Sequence, residues 1–192
     1  MEEDLQILQE LIKEDAWVTV NENQYGKRVA VLEEPAEGNQ RGYSVTINAL
    51  PESALVIKAD YFPAPNGLFQ NSKGECKRAD YVLIAHTERG NWIVYIELKG
   101  GKGPTEKTVA SQLRGSECLI AYCREVGRQF WNQVGFLSKS HYSQRFVSIR
   151  NIAISKRPSS VVPADGVHDT PEKMLKLSSP NYLQFKRLVG AA

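Results

Sequence analysis

The stretch Asp80-Tyr81-Val82-Leu83-Ile84-Ala85-His86, then Thr87-Glu88-Arg89-Gly90-Asn91, then Trp92-Ile93-Val94-Tyr95-Ile96-Glu97-Leu98-Lys99 decides how this chain is read. Two runs rich in β-branched and aromatic residues flank a polar turn carrying a glycine, which predicts a β-hairpin. A turn centred on Glu88 and Arg89 sets Asp80 opposite Glu97. Side chains alternate along a strand, so Lys99 shares the face of Glu97 while Leu98 points the other way. Two acids and a lysine therefore meet at one end of an otherwise apolar ribbon. Charges so placed call for something to bind.

Hard-ion chemistry indicates what that is. Carboxylates on neighbouring strands, helped by the backbone carbonyl of Leu98, offer oxygen ligands to Mg2+ or Mn2+, ions that keep several waters and accept phosphate oxygens. An ion there lowers the pKa of a bound water and stabilises charge on an attacked phosphorus. Lys99 stands where it can orient that water or neutralise the pentavalent intermediate.

The arrangement resembles the PD-(D/E)XK nuclease superfamily, with its restriction-endonuclease-like fold. Asp80 matches the aspartate of the motif, and Glu97-Leu98-Lys99 matches the (D/E)-X-K element at the end of the next strand. The resemblance implies that Asp80 and Glu97 ligate a divalent metal and that Lys99 supports the nucleophilic water. It covers roughly residues 75 to 155 and departs at Ala79, where the motif name has proline. The further upstream acid that many members carry stays open between Glu10, Glu14, Glu34 and Asp60. Related nucleases also hold a glutamine on the following helix, a place Gln112 fills here.

Composition fits one enzyme-sized domain spanning residues 1–192. The chain has 192 residues, 42% hydrophobic and 24% charged, with a net charge of +2. That is ordinary for a globular protein and gives no global basic field; a nuclease needs only a local basic rim. The acidic N-terminus opens an amphipathic helix rather than a secretory signal, and no run reaches membrane-spanning length. A cytoplasmic location with no membrane partner is the expectation. Cys76, Cys118 and Cys123 fit no zinc spacing and read as buried free thiols.

Around the hairpin, Leu5, Leu8, Leu11 and Ile12 predict a helix over residues 2 to about 15. Strands are expected near 28–34, 42–48 and 54–59, followed by a loop over 61–75 whose Tyr61, Phe62 and Phe69 read as a satellite core or a substrate grip. A helix is expected from Thr105 to about Gly127, with Val109, Leu113, Ile120 and Ala121 on its apolar side. The next strand covers 145–155. From Lys156 the chain turns polar, and 156–192 reads as a C-terminal appendage with a short helix capped by Thr170 and begun by Pro171.

His86, His141 and His168 are too dispersed for a metal triad, and Gly100-Gly101-Lys102-Gly103 lacks the spacing of a phosphate loop. The fold expectation is α/β, restriction-endonuclease-like, a central mixed β-sheet flanked by helices. The functional expectation is a metal-dependent nuclease (the endonuclease or exonuclease mode left open) that hydrolyses phosphodiester bonds in nucleic acid, with DNA favoured over RNA and a homodimer allowed. The competing expectations are a nuclease-fold protein that binds nucleic acid or a protein partner without cleavage, and a hydrolase of small phosphoesters.

Overall fold

The computed structural model describes residues 2–36, 42–99, 104–150, 167–178 and 180–190. The chain is mixed α/β. Its strands are β1 (Val20–Glu22), β2 (Arg28–Glu34), β3 (Tyr43–Asn48), β4 (Ala54–Lys58), β5 (Tyr81–Thr87), β6 (Gly90–Lys99), β7 (Tyr142–Arg150), β8 (Leu175–Ser178) and β9 (Tyr182–Gln184). Its helices are α1 (Glu2–Leu11), α2 (Glu106–Phe130) and α3 (Phe185–Val189). They build a five-stranded sheet in the order β4-β5-β6-β7-β8 and a four-stranded sheet in the order β1-β2-β3-β9.

The β5–β6 hairpin anchors the larger sheet. Thr87 pairs with Gly90 and Tyr81 with Ile96, so the turn centres on Glu88 and Arg89 as the sequence predicts. Gly90 takes a φ of 138°, a conformation that disfavours a side chain. Thr87 Oγ1 tightens the turn, accepting the Arg89 N–H at 3.2 Å and donating to the Gly90 carbonyl at 2.8 Å. β6 then runs parallel to β7. A parallel neighbour requires a crossover, and α2 supplies it.

α2 begins where Thr105 accepts the Thr108 N–H, leaving Val109, Leu113, Ser116, Ile120 and Cys123 buried at helical spacing. Two cores result. On one face of the large sheet, α1 and α2 cover Val82, Ile84, Ile93, Tyr95 and Phe146. On the other, the small sheet packs Leu32, Val45 and Ile47 against Leu83, Val94, Ile96, Leu98 and Val147. β6 therefore alternates between two apolar layers, which explains why its sequence is apolar at nearly every position.

Several expectations need correction. The tail is not an appendage: β8 extends the large sheet parallel to β7, β9 extends the small sheet parallel to β3, and Leu177, Leu183, Phe185 and Leu188 are buried. Thr170 and Pro171 open a single 3-10 turn, Pro171–Lys173, rather than a helix. Ala121 and Cys118 face solvent; they lie beyond the stripe that α2 buries. The first helix ends at Leu11, and β1 is a strand the sequence pattern did not show. Most of the polar loop expected after Lys156, and the end of the strand expected over 145–155, lie outside the described residues. No described helix is long and apolar enough to cross a membrane.

Candidate active site

Hairpin register brings Asp80 to Glu97. The pairing of Tyr81 with Ile96 places them one step further along, and the Asp80 carboxylate reaches across to accept the Leu98 N–H at 2.6 Å. Leu98 thus gives this group its N–H, and its side chain belongs to the opposite core. Glu97 and Lys99 project from the other face, the one covered by α2.

Lys99 is the hub. Its Nζ lies 2.9 Å from Glu97 Oε1, 3.7 Å from Asp80 Oδ1 and 3.6 Å from Glu34 Oε1. Glu97 is fully buried, whereas the Asp80 and Lys99 side chains keep 19% of their surface open to solvent. The group therefore sits at the rim of the core, with Glu97 as its floor.

Position on the sheet fixes the electrostatics. Burial pushes the Glu97 carboxyl well above the usual carboxylate range, and the nearby Asp80 charge adds to this against the opposing pull of Lys99 and Gln112. Asp80 is raised by burial too, with Lys99 and the Leu98 N–H opposing. Burial alone would lower Lys99, but Asp80, Glu97 and Glu34 outweigh it and hold the ammonium protonated. Asp60, at the end of β4, is raised by burial and feels Lys99, Lys58 and Arg78.

Unsatisfied oxygens mark what the cluster lacks. Among the described residues, the buried side-chain polar atoms without a hydrogen-bond partner are Glu34 Oε2, both Glu97 oxygens, Gln112 Oε1, Ser148 Oγ and one Arg124 nitrogen. All but the last belong to this neighbourhood. Ser148 is the β7 register partner of Glu97, and Gln112 on α2 lies close enough to favour the ionised form of Glu97. Lys99 Nζ stands 2.9 Å from Glu97 Oε1 as its ion-pair partner, and Lys99 and Gln112 both favour the ionised carboxylate. Buried oxygens left unpaired are costly, so their concentration in one place fits a site that receives a cation or polar ligand.

The donor set suits a hard cation in part. Asp80 and Glu97 supply oxygens of the right kind. Among the described residues no group of three or more His, Cys, Asp and Glu side chains is arranged to hold an ion. Water and substrate oxygens must complete the shell, as is usual for Mg2+.

The four candidate upstream acids separate cleanly. Glu34 joins Lys99 directly and Asp60 lies within its field. Glu10 instead accepts from Trp131 Nε1 at 2.8 Å, and Glu14 lies in the short turn after α1. His86 is at the far end of the hairpin, 2.7 Å from the Tyr142 hydroxyl, which in turn donates to Asp4 at 2.8 Å.

Sequence reasoning missed the parts that hold Asp80 in place. Gly115 lets the Lys77 carbonyl approach α2 so closely that an added Cβ would stand 1.7 Å from its oxygen. Next to it, the buried Ser116 hydroxyl binds the backbone of Ala79. The adjacent Gly-Ser pair on the buried side of α2 was the available signal, and Ser148 was readable as a lone polar residue within an apolar strand. No family model, curated protein or solved structure matches the chain.

Proposed function

We propose that this protein is a divalent-metal-dependent phosphodiester hydrolase acting on nucleic acid, with DNA the favoured substrate. The observation that carries the reading is Glu97: a fully buried carboxylate in the field of Asp80, with the Lys99 ammonium 2.9 Å from its Oε1. The order β4, β5–β6 hairpin, α2, β7 agrees with the restriction-endonuclease-like core that the sequence resemblance implies, and supports the same reading.

Asp80 and Glu97 would hold the cation, with Gln112 beside Glu97. When bound, Mg2+ or Mn2+ supplies Lewis acidity toward a phosphoryl oxygen and a more acidic water. Lys99 does not serve as the base, because the surrounding carboxylates keep it protonated. It donates hydrogen bonds instead, orienting the attacking water and offsetting charge as it builds on the phosphorus. The Leu98 N–H fixes one Asp80 oxygen and leaves the other turned toward Lys99.

A second reading, binding without cleavage, is favoured by one feature: the Lys99 ammonium already stands among the three carboxylates, where a cation would sit. Calorimetric titration of Mn2+ into the wild type and Asp80→Ala separates the two. Heat that disappears in the variant, together with Mn2+-dependent cleavage of plasmid DNA, supports hydrolysis. Nucleic-acid binding that persists in excess chelator, with no heat and no cleavage, selects the second reading.

A further inference from the structure

Residues 60–79 leave the site and return to it. At the outgoing end the Ala59 N–H donates to the Asp80 carbonyl at 2.7 Å; at the incoming end Lys77, Arg78 and Ala79 run directly into Asp80. The whole excursion is rooted on one acidic residue of the proposed site. Its foot is clamped to α2 by Gly115 and Ser116, so the loop is held against the helix that carries Gln112.

The loop does not bury its large apolar residues as a satellite core would. Phe62 packs on the main core, but Tyr61 is 45%, Phe69 49% and Leu68 78% exposed. Leu68 and Phe69 sit on a compact turn in which both of their N–H groups donate to the Pro65 carbonyl at 3.0 Å. An ordered turn that presents an aromatic ring and a leucine to solvent is a surface for contact.

Charge indicates the contact. The excursion carries Lys73, Lys77 and Arg78 against two acids, Asp60 at its root and Glu75. Glu75 is exposed but tied to the loop backbone, its carboxylate accepting the Ser72 and Lys73 N–H groups at 3.1 and 2.7 Å. The loop therefore offers rings and cations together. Flat aromatic faces stack on bases, but only when those bases are not already stacked within a duplex; the neighbouring cations track the phosphates.

We infer that the 61–78 loop is a binding platform for unpaired nucleic acid, with Phe69 and Leu68 contacting bases while Lys77 and Arg78 lead the backbone toward Asp80. The inference rests on the hydrolase reading for its placement beside the acids, and it names the substrate class: single-stranded or locally unpaired nucleic acid rather than intact duplex.

The test is fluorescence anisotropy in EDTA with a labelled mixed-sequence single strand and the corresponding duplex, using the full chain and its Glu97→Gln form. Preference for the single strand, weakened about ten-fold by Leu68→Ala with Phe69→Ala and retained by Phe69→Trp, is the expected result. Phe130→Ala, an exposed ring at the other end of α2, serves as the control and leaves binding unchanged. Equal or tighter binding of duplex, no binding of either form, or unchanged affinity in the double variant overturns the platform. Because these measurements need no turnover, a protein that binds single strands through Phe69 but never cleaves would overturn the hydrolase reading alone.

Discussion

The Ser116 hydroxyl clasps the backbone of Ala79 from both sides, accepting its N–H at 2.9 Å and facing its carbonyl at 3.4 Å. Ala79 immediately precedes Asp80, so a residue on the crossover helix sets where the hairpin's acidic end begins. Sequence separation hides this link; the parallel crossover creates it.

Ser116→Ala leaves the buried Ala79 N–H without a partner and is expected to cost about 1–3 kcal/mol in urea denaturation. Cleavage rate should fall further than the stability loss explains, because Asp80 loses its anchor. Full activity at unchanged stability would remove Ser116 from any positioning role.

Gly115→Ala places a methyl group against the Lys77 carbonyl, at a separation of 1.7 Å before relaxation. Backbone must shift, and a loss of about 1–3 kcal/mol is expected, read as a lowered urea midpoint. Glycine at this place is required by close approach rather than by backbone conformation.

The pH dependence follows from burial of the two acids. Asp80 and Glu97 are both raised above their unfolded values, so the native state keeps protons that the unfolded chain releases. Their stabilising contribution is full below about pH 4 and is lost as the pH climbs through the raised native values. In chelator, the thermal midpoint should therefore fall between about pH 5 and about pH 8, and Glu97→Gln should flatten that fall. A steeper fall in the variant would contradict the placement of Glu97. The same variant should abolish cleavage while remaining folded.

Lys99→Ala removes the cation shared by Glu97, Asp80 and Glu34. The variant should lose stability in chelator above about pH 8, where Glu97 is ionised and has lost its counter-charge, by up to about 3–5 kcal/mol. It should regain part of that loss with Mn2+, which still finds both acids, yet turn over slowly. Denaturation with and without Mn2+ measures the first two effects; unaltered turnover would refute the assigned role of Lys99.

Thiol accessibility reports on the orientation of α2. Cys118 is exposed, while Cys76 and Cys123 are buried, and burial pushes the Cys123 thiol up to about 11. A disulfide reagent should label one thiol quickly in the native protein and lose that phase in Cys118→Ser.

By itself, the sequence determined the local geometry. Strand alternation and a two-residue turn are short-range properties, so the approach of Asp80 to Glu97, one step beyond the Tyr81–Ile96 pair, and the shared face of Lys99 were readable from spacing alone. The start of the crossover helix near Thr105 was legible for the same reason, the structure making Thr105 its cap rather than its first residue. Tertiary structure decided everything that depends on distant segments meeting. Glu34 reaches Lys99 only because the small sheet packs across the large one; nothing local distinguishes it from Glu10 or Glu14. The tail seemed detached because β8 and β9 are short and lie on opposite sheets, each finding its partner more than a hundred residues or a whole crossover away in the fold rather than in a hairpin. Side-chain period fixes which face a residue presents, but packing alone decides what that face meets.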